Sequence, residues 1–156
     1  NCLDIIVRIT GDDPFKDFRL IDRAVDCIIA SNLDFVCNNS PVTYPEGLDV
    51  EVITFNALKK IYQNALTSDH REHVTLYVHE NISAFNTLNL SNGKDMSYHR
   101  WTIDYAEDYH FARVVYEELY TDGELFQAED IYNLLSENQT LQLINKNVNR
   151  STLYEK

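Results

Sequence analysis

Glycine is scarce in this chain of 156 residues: Gly11, Gly47, Gly93 and Gly123 are the only four, and each stands alone. No G-x-G-x-x-G or Walker-type loop can be written from them, so a phosphate handled here has no glycine cradle from these residues. Basic charge is scarce as well. Thirteen Lys and Arg face twenty-five Asp and Glu, a net charge of −12, and no run of basic residues interrupts that field. A nucleic-acid backbone would be repelled, so nucleic-acid partners are not expected. Cysteine is limited to Cys2, Cys27 and Cys37, an odd number without C-x-x-C spacing. That excludes a disulfide scaffold and points to reduced, cytosolic thiols. Apolar runs approaching the roughly 18 to 20 residues of a membrane span are absent, as is a charged-then-apolar leader, so a soluble, cytoplasmic chain with no membrane partner is expected. The single methionine is Met96 and the chain opens at Asn1, so a preceding segment is also expected.

What is present is core material: 44% of residues are hydrophobic and 12% aromatic, enough for a globular domain. The β-branched run over residues 3–10 reads as a buried strand ending in the turn Gly11-Asp12-Asp13-Pro14. Asp17 is a plausible N-cap for a helix carrying Leu20, Ile21, Ala24, Val25, Ile28 and Ile29 at helical spacing. A short strand over 34–37, a loop over 38–47 and an alternating strand over 48–55 follow, with Val50 and Val52 on one side and Asp49, Glu51 and Ile53 on the other. Asn56 is the expected cap of a helix to Ala65, and Ser68 or Asp69 of another to about Asn81. Strands are expected over 85–90 and 97–104, then a helix to about Tyr120 and helical stretches over 128–136 and 141–145. This alternation predicts an α/β layer fold with a largely parallel sheet. Residues 101–156 carry −7 of the net charge against −5 for residues 1–100, a solvated acidic face in the simplest reading.

In such sheets functional residues sit just past the carboxyl ends of the strands, and two acidic turns have that position: Asp12-Asp13 after the first strand and Asp104 after Trp101-Thr102-Ile103. Two carboxylates brought together repel unless a cation sits between them, and hard oxygen donors suit Mg2+ or Mn2+. The same residues also read as an ordinary turn before Pro14 and as the N-cap of the following helix. Asp49 and Glu51 read by themselves as solvated acids on an edge strand. Arg71 suits bidentate carboxylate recognition. His73 reads as a packing histidine, since His70 and His73 alone are too few for zinc. Trp101 reads as core.

The strings Val7-Arg8-Ile9-Thr10-Gly11-Asp12-Asp13-Pro14, Tyr44-Pro45-Glu46-Gly47-Leu48-Asp49-Val50-Glu51, Arg71-Glu72-His73-Val74-Thr75 and Arg100-Trp101-Thr102-Ile103-Asp104 fall in one order. That order resembles the cytidylyltransferases of spore coat polysaccharide biosynthesis, relatives of the CMP-KDO synthetase-like enzymes that make CMP-activated sugar acids. The resemblance covers about residues 3 to 120. It implies a nucleotide-diphospho-sugar transferase (GT-A-like) fold with a mixed, mostly parallel sheet. The implied reaction joins CTP and a sugar acid into a CMP-sugar and pyrophosphate, for surface polysaccharide or flagellar glycan synthesis. It further implies Mg2+ on Asp12 and Asp104 as the catalytic pair, and Asp13, Gly47, Asp49, Glu51, Arg71 and His73 on the substrate side, with a homodimer as a family habit.

The chain departs from that family at Leu76 and Ala106, where prolines are common. It also lacks a counterpart of the family's first third, with its amino-terminal strands and basic, glycine-rich nucleotide loop. The expectation is therefore the carboxyl-terminal part of such an enzyme, residues 1–120, with a helical tail over 121–156 packed on it, inactive alone. Two other readings of the same residues are a non-catalytic sugar-binding or dimerisation module, and a metal-dependent glycosyltransferase of related fold. The second usually carries D-x-D, whereas Asp12 and Asp13 are adjacent.

Overall fold

The computed structural model describes residues 4–150; Cys2, and Leu3 at the start of the expected first strand, lie outside the described residues. Four strands, β1 (Ile5–Arg8), β2 (Phe35–Cys37), β3 (Glu51–Thr54) and β4 (Thr87–Asn89), form one sheet in the order β1-β3-β2-β4. β3 pairs antiparallel with both β1 and β2, and β2 pairs parallel with β4, so three of the four strands point one way and the sheet is mixed.

Each face is covered by helices that the sequence periodicity demands. α1 (Phe18–Ala30) lays Leu20, Ala24 and Ile28 on Val36, Val50, Val52 and Leu90. Its N-cap is Asp17, which accepts the Arg19 amide at 2.9 Å and so satisfies one of the orphan donors of the first turn. The other face packs Phe35, Cys37 and Ile53 against Ala57 and Ile61 of α2 (Phe55–Asn64) and Val78 of α4 (Leu76–Glu80). The strict alternation of β3, with Val52 facing α1 and Ile53 facing α2, divides these two cores. A third core lies past one end of the sheet. There Phe15, Leu48 and Trp101 meet Phe111 and Val115 of α5 (Ala106–Leu119) and Ile131 and Leu135 of α6 (Ala128–Glu137). Trp101 is 1% exposed, in keeping with its reading as core.

Several expectations need correction. Thr54, not Asn56, caps α2, accepting the Ala57 amide at 3.2 Å. The single helix expected over 68–81 is two, α3 (Ser68–Glu72), capped by Thr67, and α4. Between them the fully buried Thr75 donates its hydroxyl to both carboxylate oxygens of Glu51 at 2.8 and 3.0 Å, so a contact distant in sequence outcompetes helical continuity. The strand expected over 97–104 is absent apart from one bridge, Glu46 to Arg100. Arg100, Trp101 and Thr102 are all buried in succession, and their chain is tied to different segments in turn rather than to one neighbouring strand. The Trp101 amide donates to Glu46 O (2.7 Å), the Ile103 amide to Asp12 O (2.8 Å), and Asn145 Nδ2 donates to Arg100 O (2.9 Å). Residues 139–143 form a 3-10 turn where a helix was expected over 141–145.

Candidate active site

The sheet register aligns Arg8, Glu51, Cys37 and Asn89 in one row across all four strands. This row marks the carboxyl ends of β1, β2 and β4 and the amino end of β3. A cleft of about 260 Å3 opens just past it, lined by Arg8, Asp12, Asp13, Lys16, Asn39 and Glu46 together with Asp49, Glu51, Asp104 and Arg150. Five of the residues singled out from the sequence, Asp12, Asp13, Asp49, Glu51 and Asp104, therefore meet in one place. The two acidic turns converge because their main chains are laced together: Asp12 O accepts the Ile103 amide at 2.8 Å and the Thr102 hydroxyl at 3.4 Å, one and two residues before Asp104.

Each carboxylate has a distinct setting. Asp12 is exposed, and its side chain accepts no hydrogen bond among the described residues. Asp13 accepts from Thr10 Oγ1 (2.9 Å) and Lys16 Nζ (2.7 Å), and Lys16 also donates to the Asp49 carbonyl, tying the loop after β1 to the approach to β3. Arg150 lies 3.5 Å from the Asp49 carboxylate. Burial raises the Asp49 carboxyl above its ordinary value, and the Arg150 and Lys16 charges only partly offset this. Glu51 is 3% exposed on a central strand, which removes the edge-strand reading. Burial opposes its ionisation, yet His79, Arg8 (2.6 Å) and Thr75 together hold its carboxyl below the ordinary range. It is an ionised acceptor fixed from behind.

Gly47 does not line the cleft; it packs against the backbone of Trp101 and Thr102. At φ +100° it packs so closely that a Cβ would lie 2.6 Å from both the Trp101 carbonyl carbon and the Thr102 nitrogen. Asp104 is not the N-cap of α5, a place taken by Tyr105; one of its carboxylate oxygens, Oδ2, accepts from Arg100 Nη2. Arg71 and His73 do not line the cleft. Arg71 stacks over the Tyr62 ring, 4.7 Å from its centroid, and His73 ends α3.

Sequence reasoning missed Arg8, Lys16, Asn39, Glu46, Arg100 and Asp108. A single arginine inside the β-branched run of β1 was a signal, since a charge there demands a partner. So was the spacing of Arg100, Asp104 and Asp108, four residues apart each time. Cys37, at the end of β2, is buried, and burial with the nearby Glu51 charge pushes its thiol up to about 12. It forms no disulfide, and neither does Cys27.

The sequence profile of the family described as cytidylyltransferase matches residues 2–141. An uncharacterized protein of Methanocaldococcus jannaschii is 35% identical over 156 residues, covering 97% of this chain and 61% of that protein. The spore coat polysaccharide biosynthesis protein SpsF of Bacillus subtilis is 29% identical over 138 residues, covering 86% of this chain and 55% of SpsF. Among solved structures, a cytidylyltransferase from Leptospira borgpetersenii serovar Hardjo-bovis superposes with a TM-score of 0.85 at 29% identity, covering 96% of this chain and 61% of that one. The chain thus spans about three fifths of the length of the relatives it matches. No described helix is long and apolar enough to cross a membrane.

Proposed function

Because the chain belongs to the cytidylyltransferase family, we propose that the cleft past β1 serves cytidylyl transfer from CTP to a sugar acid, releasing pyrophosphate, for a cytoplasmic route to a surface glycan. The observation that carries this reading is the convergence of the Asp12 and Asp104 turns beside a set of fixed polar groups. Six carboxylates and three cationic side chains line the cleft, an unfavourable balance for anionic substrates without a divalent cation.

The donors suit such an ion. Asp12 offers a carboxylate without a partner among the described residues, Asp104 one with a single oxygen engaged, and Mg2+ is commonly held by one or two carboxylates plus substrate phosphates. Asp12 and Asp104 would hold it, and the ion supplies neutralisation of the charge that builds on the α-phosphate. Among the described residues no three His, Cys, Asp or Glu side chains are grouped for a metal, so the substrate phosphates would complete the set. Asn39 and Glu51 suit sugar hydroxyls: the buried Asn39 Oδ1 accepts nothing among the described residues, and Glu51 is an ionised acceptor. Lys16 and Arg150 suit the acid group in place of Arg71 and His73, which lie outside the cleft.

In the full-length protein, Asp12→Asn and Asp104→Asn are expected to lower pyrophosphate release from CTP and sugar acid by about a thousandfold, with the fold kept. Full activity in both folded variants would remove these residues from the reaction. The same assay on the 156 residues alone should give no pyrophosphate, since they hold no glycine-rich or basic loop for a triphosphate. Turnover by that chain would overturn this part of the proposal.

A further inference from the structure

Behind the cleft, and not lining it, lies Arg100, only 8% exposed. Its guanidinium donates to three carboxylates and, from Nη1, to Asn149 O at 3.4 Å. Nε and Nη2 make a bidentate pair with Asp108 at 2.9 Å each, Nη1 donates to Glu46 Oε2 at 2.7 Å, and Nη2 also donates to Asp104 Oδ2. Asp108 in turn accepts the main-chain amides of Asp104 and Tyr105 at 3.1 Å each. Both the backbone and the side chain of Asp104 therefore terminate on one Arg100–Asp108 unit. Glu46 is fixed in the same way, its amide donating to His99 O at 3.1 Å and its carbonyl accepting from Trp101 at 2.7 Å, on either side of Arg100.

We propose that Arg100 is a positioning residue for the transfer reaction, holding Asp104 and Glu46 as a fixed pair at the cleft wall so that Asp104 presents one oxygen. The inference rests on the reading that Asp104 serves cytidylyl transfer. Three features require an arginine. A planar fork reaches three carboxylates at once, which a lysine ammonium cannot do with the same directions. Three anions around one cation leave the cluster net negative, and two of the three, Glu46 and Asp104, line the cleft. With Oδ2 of Asp104 occupied, Oδ1 is the oxygen that accepts nothing among the described residues. Arg100 thus decides which atom of Asp104 is offered and how much negative charge stands behind it.

The test uses the full-length protein and three readouts: circular dichroism for folding, Mn2+ titration by electron paramagnetic resonance in the presence of CTP, and steady-state kinetics. Arg100→Lys is expected to fold, to raise the Mn2+ half-saturation and to lower kcat, each by about 10-fold, while KM for CTP changes little. Glu46→Gln keeps the Arg100–Asp108 pair and leaves Arg100 less neutralised beside Asp104. It is expected to raise the Mn2+ half-saturation by roughly threefold, and it carries the test if Arg100→Lys does not fold. A folded Arg100→Lys, or in its place a folded Glu46→Gln, with wild-type Mn2+ half-saturation and kcat overturns the inference alone. A wild-type protein that neither binds Mn2+ with CTP nor releases pyrophosphate overturns the proposed function, and this inference with it.

Discussion

Asp108→Asn should lower the unfolding free energy by about 3–5 kcal/mol at neutral pH, a fall in Tm of roughly 10 °C. The Asp108 carboxylate is 0% exposed and accepts from five donors: two on Arg100, Nδ2 of Asn145 at 3.0 Å, and the amides of Asp104 and Tyr105. An asparagine of the same shape turns one acceptor into an NH2 that faces other donors, and it takes one of three anions from a buried guanidinium. The pH dependence has a definite sign. Burial opposes ionisation of Asp108, but Arg100, Asn145 and the two amides outweigh it and hold the carboxyl below the ordinary range. The native state therefore releases this proton more readily than the unfolded chain. The stabilisation is fully present above the unfolded value of about 3.9 and is lost as pH falls through the lower native value. Urea unfolding of wild type and variant at pH 7.5 and near pH 3 should show a large difference that shrinks in acid. Equal midpoints at pH 7.5 would mean that the cluster contributes little to stability.

The sequence made the layers of this fold legible and left its tight connections obscure. α1 was readable from its cap to its end because Asp17 and the spacing of Leu20, Ala24 and Ile28 are local facts. The alternation of Val50, Val52 and Ile53 told which residues face which helix layer, since a strand between two layers must alternate. Segment 97–104 misled because its β-branched and aromatic residues imitate a strand, whereas its burial comes from the Arg100 cluster and Trp101, which depend on partners as distant in sequence as Glu46 and Phe15. The break between α3 and α4 was invisible for the same reason: nothing local says that the Thr75 hydroxyl will meet Glu51. At the site, Asp12 and Asp13 were legible as an acidic turn past a strand end and Asp104 as an acidic turn, although no strand precedes it, while Lys16, Glu46, Arg100 and Asp108 were not, because pairing across loops has no period. The scarcity of glycine carried more than was read from it. It excluded a phosphate cradle, and it left Gly47 as one of two glycines held at positive φ.

Gly47→Ala is expected to cost about 3–5 kcal/mol, with a loss of the proposed transfer activity beyond what the lost stability explains. Two penalties combine there. The φ of +100° is a conformation that L side chains rarely adopt, and the added methyl would sit 2.6 Å from the backbone of Trp101 and Thr102, which cannot swing aside as a side chain does. The Trp101 amide already binds Glu46 O, and the Thr102 hydroxyl reaches Asp12 O, so pushing residues 101–102 away separates the Glu46, Asp12 and Asp104 segments together. Two other glycines separate the contributions. Gly123 has φ +83° with open space around its Cβ position, so Gly123→Ala isolates the conformational penalty, about 1–2 kcal/mol. Gly93 has open space and no positive φ, so Gly93→Ala should stay within about 0.5 kcal/mol of wild type. Denaturant unfolding of the three variants in the full-length protein, with pyrophosphate release from each that folds, should rank them Gly93, Gly123, Gly47 in rising cost, with activity lost only at Gly47. An alanine at 47 as mild as the one at 123 would show that the loop over 44–49 can move off Trp101 freely, and the cleft would then need another explanation for how its acids are held together.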